Sequence, residues 1–201
     1  MNVGFYNSIG QVLSSENVGI LAIQGDFQLH RDMFEKLGHN TILVRKKEHL
    51  DQVDRLVIPG GESTTIQLLI DKYQLREPLN EFGRTKPIWG TCAGTILLSD
   101  KVDDDRIKPL RLIRIEVARN AYGRQINSFI DKGTISLGAV NRAFEMVFIR
   151  APKIMKVAED VAPIGYLRDE ITAAVQGSVL VTTFHPELTD DPALHEFFLT
   201  L

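Results

Sequence analysis

The chain has 201 residues, 44% hydrophobic and 24% charged, a length that forms one domain with a core able to stand unaided. Its net charge of −3 gives no electrostatic case for nucleic acid or an anionic membrane as a partner, and no run approaches the eighteen apolar residues of a membrane span. A single cysteine excludes an intrachain disulfide and, with no secretory signal visible, points to the cytoplasm.

Residues 1–17 are weakly patterned and are expected to form an N-terminal extension of unassigned role. Residues 18–23 (Val-Gly-Ile-Leu-Ala-Ile) are the continuous apolar run that a doubly covered strand needs. Gln24-Gly25 turns the chain, and Asp26 is placed to cap a helix. On that helix Phe27, His30, Phe34 and Leu37 share one face, and Gly38 closes it. Strands are predicted at 41–44 and 55–58. The order strand, helix, strand, strand, helix, strand, helix gives an open α/β sheet, with sites at the carboxyl ends of its strands.

Pro59-Gly60-Gly61-Glu62-Ser63-Thr64-Thr65 follows the strand at 55–58. Paired glycines there let backbone N–H groups point into a cleft, as an oxyanion hole requires. A phosphate loop is disfavoured, because no Lys-Ser/Thr follows and Glu62 repels phosphate. The plain alternative is a turn with Ser63 or Thr64 as helix cap.

Residues 87–98 (Pro-Ile-Trp-Gly-Thr-Cys-Ala-Gly-Thr-Ile-Leu-Leu) run from a short strand through an abrupt small-residue turn into a helix start. Cys92 sits at the joint, between Gly90 and Gly94, in the pattern of a nucleophile elbow. The glycines allow the close backbone approach that such a turn demands, and a helix N-terminus favours a thiolate. The competing reading is a small buried hydrophobe.

Across 107–129 the alternation of Leu110, Leu112, Ile113, Ile115 and Val117 predicts strand, followed by a polar loop at 119–125 in which Arg119 can hold a carboxylate in a bidentate fork. Further strands are expected at 144–149, 171–175 and 178–184, the last two joined at Gln176-Gly177. The last runs into His185-Pro186-Glu187. Residues two apart in an extended segment share a side, so Glu187 can fix the imidazole tautomer and stabilise its charged form. The other histidines show no such arrangement: His30 is a helix-face residue, His39 and His49 lie in loops, and His195 lies in a C-terminal helix over 192–199. The Cys and His spacings give no metal cluster. A nucleophile, an oxyanion stabiliser and an oriented base are the set for acyl transfer through a thioester.

Gly-Thr-Cys-Ala-Gly with His-Pro-Glu resembles the class I, triad-type glutamine amidotransferases. Five stretches narrow the resemblance to the glutaminase subunit of pyridoxal 5′-phosphate synthase: Gln24-Gly25-Asp26-Phe27, the run from Pro59 to Thr65, Arg119-Asn120-Ala121-Tyr122-Gly123-Arg124-Gln125, Phe148-Ile149-Arg150-Ala151-Pro152, and His185-Pro186-Glu187-Leu188-Thr189. It covers residue 18 to the end and implies a glutaminase domain over 18–201. The implied fold is α/β, a single-domain open, mostly parallel sheet with helices on both faces, flavodoxin-like.

The resemblance also implies hydrolysis of L-glutamine to glutamate and ammonia, with Cys92 as nucleophile, His185 as base and then acid, and Glu187 orienting it. Backbone N–H groups of Ala93 and of the Gly60-Gly61 turn would form the oxyanion hole. Gly61, Glu62, Ser63, Arg119, Ile149 and Arg150 would contact glutamine, without metal or cofactor. Ammonia would pass to a (β/α)8-barrel synthase subunit, in a large hetero-oligomer whose barrel ring carries glutaminases outside, each poorly active until docked. Two rival readings stay open: a glutaminase or γ-glutamyl hydrolase of another pathway, and a non-catalytic scaffold subunit.

Overall fold

The computed structural model describes residues 16–119 and 128–201. Residues 1–15, and the expected polar loop from Asn120 to Gln125, lie outside the described residues. The elements in order are β1 (Asn17–Leu21), α1 (Phe27–Lys36), β2 (Asn40–Val44), a 3-10 turn (Lys47–Gln52), β3 (Arg55–Ile58), α2 (Ser63–Lys72), α3 (Arg76–Thr85), β4 (Ile88–Thr91) and α4 (Ala93–Leu98). There follow β5 (Ser99–Val102), β6 (Ile113–Ala118), β7 (Ser128–Leu137), β8 (Val140–Ile149), β9 (Lys153–Val157), β10 (Ala162–Leu167), β11 (Glu170–Gln176), β12 (Val179–Thr182), a 3-10 turn (Pro186–Leu188) and α5 (Ala193–Phe198).

Nine described strands form one sheet in the order β2-β1-β3-β4-β12-β11-β10-β7-β8. The first five are mutually parallel, and their order is the doubly wound 2-1-3-4-5 arrangement of flavodoxin-like sheets. From β12 onward the pairings are antiparallel. The parallel strands are apolar throughout because both faces are covered. Along β3, Leu56 and Ile58 enter one core and Val57 the other; along β12, Val179 and Val181 oppose Leu180. On one face the core takes Ile66 and Ile70 of α2, Leu79 and Phe82 of α3, and Ile96 and Leu97 of α4. On the other it takes Phe34 of α1 with Leu194 and Phe198 of α5, around the fully buried Trp89. Each such large side chain contributes about 1.5–3 kcal/mol on burial. No helix among the described residues is long and apolar enough to cross a membrane.

Local structure departs from the sequence-based expectation at several points, each with a physical reason. Asp26 occupies the N-cap position of α1, but its side chain makes no capping hydrogen bond. At the other end Gly38 behaves as expected: it has φ +84, and the His39 and Gly38 N–H groups donate to the Phe34 and Glu35 carbonyls, a Schellman closure. The cap of α2 is neither Ser63 nor Thr64. The Glu62 carboxylate accepts from the Thr64 and Thr65 N–H groups.

The alternation at 107–112 does not become strand. Leu110 and Leu112 donate instead to the Leu97 and Leu98 carbonyls at the end of α4, and Arg111 turns left-handed at φ +57. β6 therefore begins only at Ile113, and it pairs with β5 and β9 in a separate three-stranded sheet. β12 stops at Thr182, short of the expected Phe184.

Candidate active site

Three parallel strands end side by side and deliver the expected residues. β3 leads into Pro59-Gly60-Gly61, β4 into Cys92, and β12 through Thr183 and Phe184 into His185. The elbow is held by close backbone approach. A Cβ on Gly90 would come within 2.5 Å of the Gly94 carbonyl carbon, and one on Gly94 would overlap the Ile58 carbonyl oxygen. Cys92 is forced to φ 48, ψ −102 as it enters α4, a region L-residues avoid. Its N–H donates to the Thr182 carbonyl at 2.8 Å, which ties the elbow to β12.

His185 is 3% exposed and is anchored by its own N–H, which donates to the Val147 carbonyl of β8 at 2.9 Å. Its Nδ1 lies 2.8 Å from Oε1 of Glu187, leaving Nε2 for the thiol. The expected contact forms, but by a different route. Glu187 stands in a 3-10 turn, not in an extended segment, and the turn folds its carboxylate back beneath the imidazole. Burial alone would push the His185 pKa down; hydrogen bonds to the Cys92 thiol and to Glu187 outweigh it and raise it to about 10. An imidazolium beside a thiol favours the nucleophilic thiolate.

A cavity of about 210 Å³ opens over these groups. Of the expected residues, Gly61, Glu62, Ser63, Cys92, Ala93, Arg119, Ile149, Arg150 and His185 line it; Gly60 and Glu187 stand behind its wall. Ser63 is 2% exposed, and its Oγ has no hydrogen-bond partner. The Ile149 carbonyl oxygen lies 3.8 Å from the Cys92 sulfur, and Arg150 follows it at φ 44. As the first residue of α4, Ala93 has an N–H without an intrahelical acceptor. The Gly60 carbonyl accepts from the Asp26 N–H at 3.2 Å, and the Gln24 side chain accepts from the Glu62 N–H at 3.0 Å.

Arg119 reaches the cavity from the end of β6, with its guanidinium already engaged by Glu62 and by Asp104, the latter at 2.9 Å. Its backbone N–H donates to Asp103 at 2.7 Å. Asp103 and Asp104, in the turn after β5, thus place this arginine. Burial works against the Glu62 charge, but the hydrogen bonds from Thr64 and Thr65 hold its pKa at about 2.

The sequence reading missed further residues. Gln24 and Asp26 line the cavity, and the Asp26 carboxylate lies within 4.8 Å of the ligand atoms of His185 and Glu187. Spacing alone showed no such cluster. His30 and His195, which the sequence places only on helices, are both 0% exposed: Nε2 of His30 lies 3.3 Å from Oε2 of Glu187, and His195 meets the other side of the His30 ring. Buried histidines on otherwise apolar helix faces were the available signal.

Comparison with known proteins gives the chain's relatives. The pyridoxal 5′-phosphate synthase subunit PdxT of Roseiflexus castenholzii is 48% identical over 189 residues, covering 92% of this chain and 99% of that protein. The subunit of the same name from Francisella tularensis subsp. novicida is 46% identical over 187 residues, covering 93% and 99%. A solved structure described as a glutamine amidotransferase superimposes with a TM-score of 0.84 at 41% identity, over 91% of this chain and 97% of that one. The structure of PurLQS from Thermotoga maritima, at 14% identity and a TM-score of 0.69 over 92% and 98%, shares the fold. A family model described as the SNO glutamine amidotransferase family matches residues 20–201, so the cysteine elbow and its buried histidine–glutamate pair sit in a chain that belongs to that family.

Proposed function

We propose that this chain hydrolyses L-glutamine to L-glutamate and ammonia as the glutaminase subunit of a pyridoxal 5′-phosphate synthase, with residues 18–201 as the glutaminase domain. The observation that carries the reading is Cys92 on a strained elbow, in contact with an imidazole whose far nitrogen is 2.8 Å from Glu187.

The Cys92 sulfur attacks the carboxamide carbon, and the oxyanion is met by the N–H of Ala93 and one from the Gly60-Gly61 turn. The imidazolium of His185 gives its proton to the departing nitrogen, which leaves as ammonia, and a thioester remains. His185, now neutral, takes a proton from water; the hydroxide adds to the thioester, and the thiolate departs with glutamate released. Gly61, Glu62, Ser63, Arg119, Ile149 and Arg150 hold the substrate. The free Ser63 Oγ and the carbonyl of Ile149 supply a donor and an acceptor.

The ammonia acceptor in this reading is a (β/α)8-barrel synthase subunit in a large hetero-oligomer, in the cytoplasm. The test is ammonia release from L-glutamine by the purified chain, alone and with the synthase subunit, with Cys92→Ala as control. Release that rises with the synthase and vanishes in the variant supports the proposal. Equal release with and without the partner overturns the assigned complex, and release unchanged by Cys92→Ala overturns the triad.

A further inference from the structure

Glu187 has two oxygens, and only one faces His185. The other, Oε2, is fully buried and makes no aligned hydrogen bond; its close polar neighbour is Nε2 of His30, at 3.3 Å. A buried carboxylate oxygen without a donor is costly, and an unheld carboxylate is free to rotate away from the imidazole it orients. The His30 ring sits edge-on to Trp89, with centroids 5.3 Å apart, and its Nε2 is also 3.3 Å from Oγ1 of Thr91. Its Nδ1 lies 3.0 Å from Nε2 of His195 on α5.

The tautomers follow from the remaining nitrogen. Nδ1 of His195 is buried without a partner. An orphaned N–H is rarer in proteins than an orphaned acceptor, so that nitrogen is bare and His195 carries its proton on Nε2. It donates to Nδ1 of His30, which leaves the His30 proton on Nε2, in hydrogen-bond geometry with Oγ1 of Thr91 and beside, though not aligned with, Oε2 of Glu187. Both rings are neutral. Burial and the neighbouring imidazoles hold His30 well below the ordinary histidine value, and burial takes His195 to about 3.

We propose that His30, with its tautomer set by His195, is a positioning residue that holds the inner oxygen of Glu187 and so aims the outer one at His185. The triad then continues inward as a line of five side chains, from Cys92 at the cavity to His195 beneath the sheet. The proposal rests on the triad reading above. The titratable groups facing His30 are Glu187 on its turn, His185 beyond it and His195 on α5; β4 contributes Thr91 and Trp89, neither of which titrates in the working range.

The test uses the full chain and does not depend on glutamine or on a partner. The rate of Cys92 alkylation by iodoacetamide is followed from pH 5 to 11 in wild type, in His30→Leu, which fills the site without a donor, and in His30→Gln, whose amide nitrogen stands in for Nε2. Thermal unfolding of each is recorded alongside. The wild-type profile has an upper break where His185 loses its proton. His30→Leu is expected to lower that break by about one pH unit, the scale of losing one close polar contact to a charged group, and His30→Gln to restore it. A lower unfolding temperature with the break unmoved assigns His30 to packing and overturns the proposal, as does an equal shift in both variants. A wild-type thiol no more reactive than a free cysteine overturns the triad reading and this proposal with it. A wild type with an activated thiol and unmoved variants overturns this proposal alone.

Discussion

A Cβ on Gly60 would overlap Cε1 of His185 and lie 3.3 Å from Cβ of Cys92. The Gly60-Gly61 turn is therefore packed directly against Cys92 and His185, and the lack of a side chain at Gly60 leaves the imidazole room to meet the thiol. Gly60→Ala is expected to displace His185 and to lower kcat for ammonia release by about 100-fold or more, the scale of an ångström-level misplacement. Circular dichroism should show the fold retained. A variant with full activity would mean that the imidazole position tolerates the methyl, contrary to this packing.

The charge on His185 gives a pH dependence of defined sign. Its pKa is raised in the folded chain to about 10, against about 6.5 for an unfolded histidine. Its contribution to stability is therefore fully present below about pH 6.5 and declines as pH rises towards 10. Urea unfolding midpoints of wild type and His185→Gln, compared from pH 6 to pH 10, are expected to converge as pH rises. The Cys92 and Glu187 contacts raise this pKa, so Cys92→Ala should move the His185 titration, followed by NMR of its ring proton, to lower pH.

The parts of the site legible in the sequence are those made by local chain geometry. Gly90, Cys92 and Gly94 mark the elbow because the strain at Cys92 and the approach of Gly90 to Gly94 fall within five residues. The Gly60-Gly61 turn is legible as paired glycines at a strand's end, although what packs against it, His185, Cys92 and Gln24, comes from elsewhere in the chain. Helix α3 escaped because Pro78 and Gly83 interrupt its apolar face of Leu79 and Phe82; Pro78 is tolerated because it lies in the first turn. The alternation at 107–112 misled because those backbone groups cap α4 before a strand can claim them. The pairing of His30 with His195 spans 165 positions, and that of Arg119 with Glu62 spans 57. Such contacts are set by the order of strands in the sheet, which no periodicity records.

Arg119 is held in place by two carboxylates before any substrate arrives. Asp104 is kept below the usual carboxylate range by hydrogen bonds from Arg106 and Arg119, so it stays ionised at any working pH and the guanidinium stays aimed at the cavity. Arg119→Met is expected to raise KM for glutamine by about 10-fold, in keeping with one charged hydrogen bond lost, with a smaller change in kcat. Initial rates across glutamine concentration check this. An unchanged KM would remove Arg119 from the substrate-binding set.

The backbone at Cys92 predicts an inversion of the usual glycine penalty. At φ 48, ψ −102 a residue with a Cβ carries about 1–3 kcal/mol of strain. Alanine in place of the thiol keeps that strain, whereas glycine releases it and gives back only about 0.5–1 kcal/mol in chain entropy. Both variants remove the proposed nucleophile and should release no ammonia. Cys92→Gly is nevertheless expected to unfold about 2–4 °C above Cys92→Ala, the shift that about 1 kcal/mol produces in a chain of this size. Differential scanning calorimetry of the two decides it: a glycine variant no more stable than the alanine one would show that the elbow stores no strain, and that the thiol is presented by packing alone.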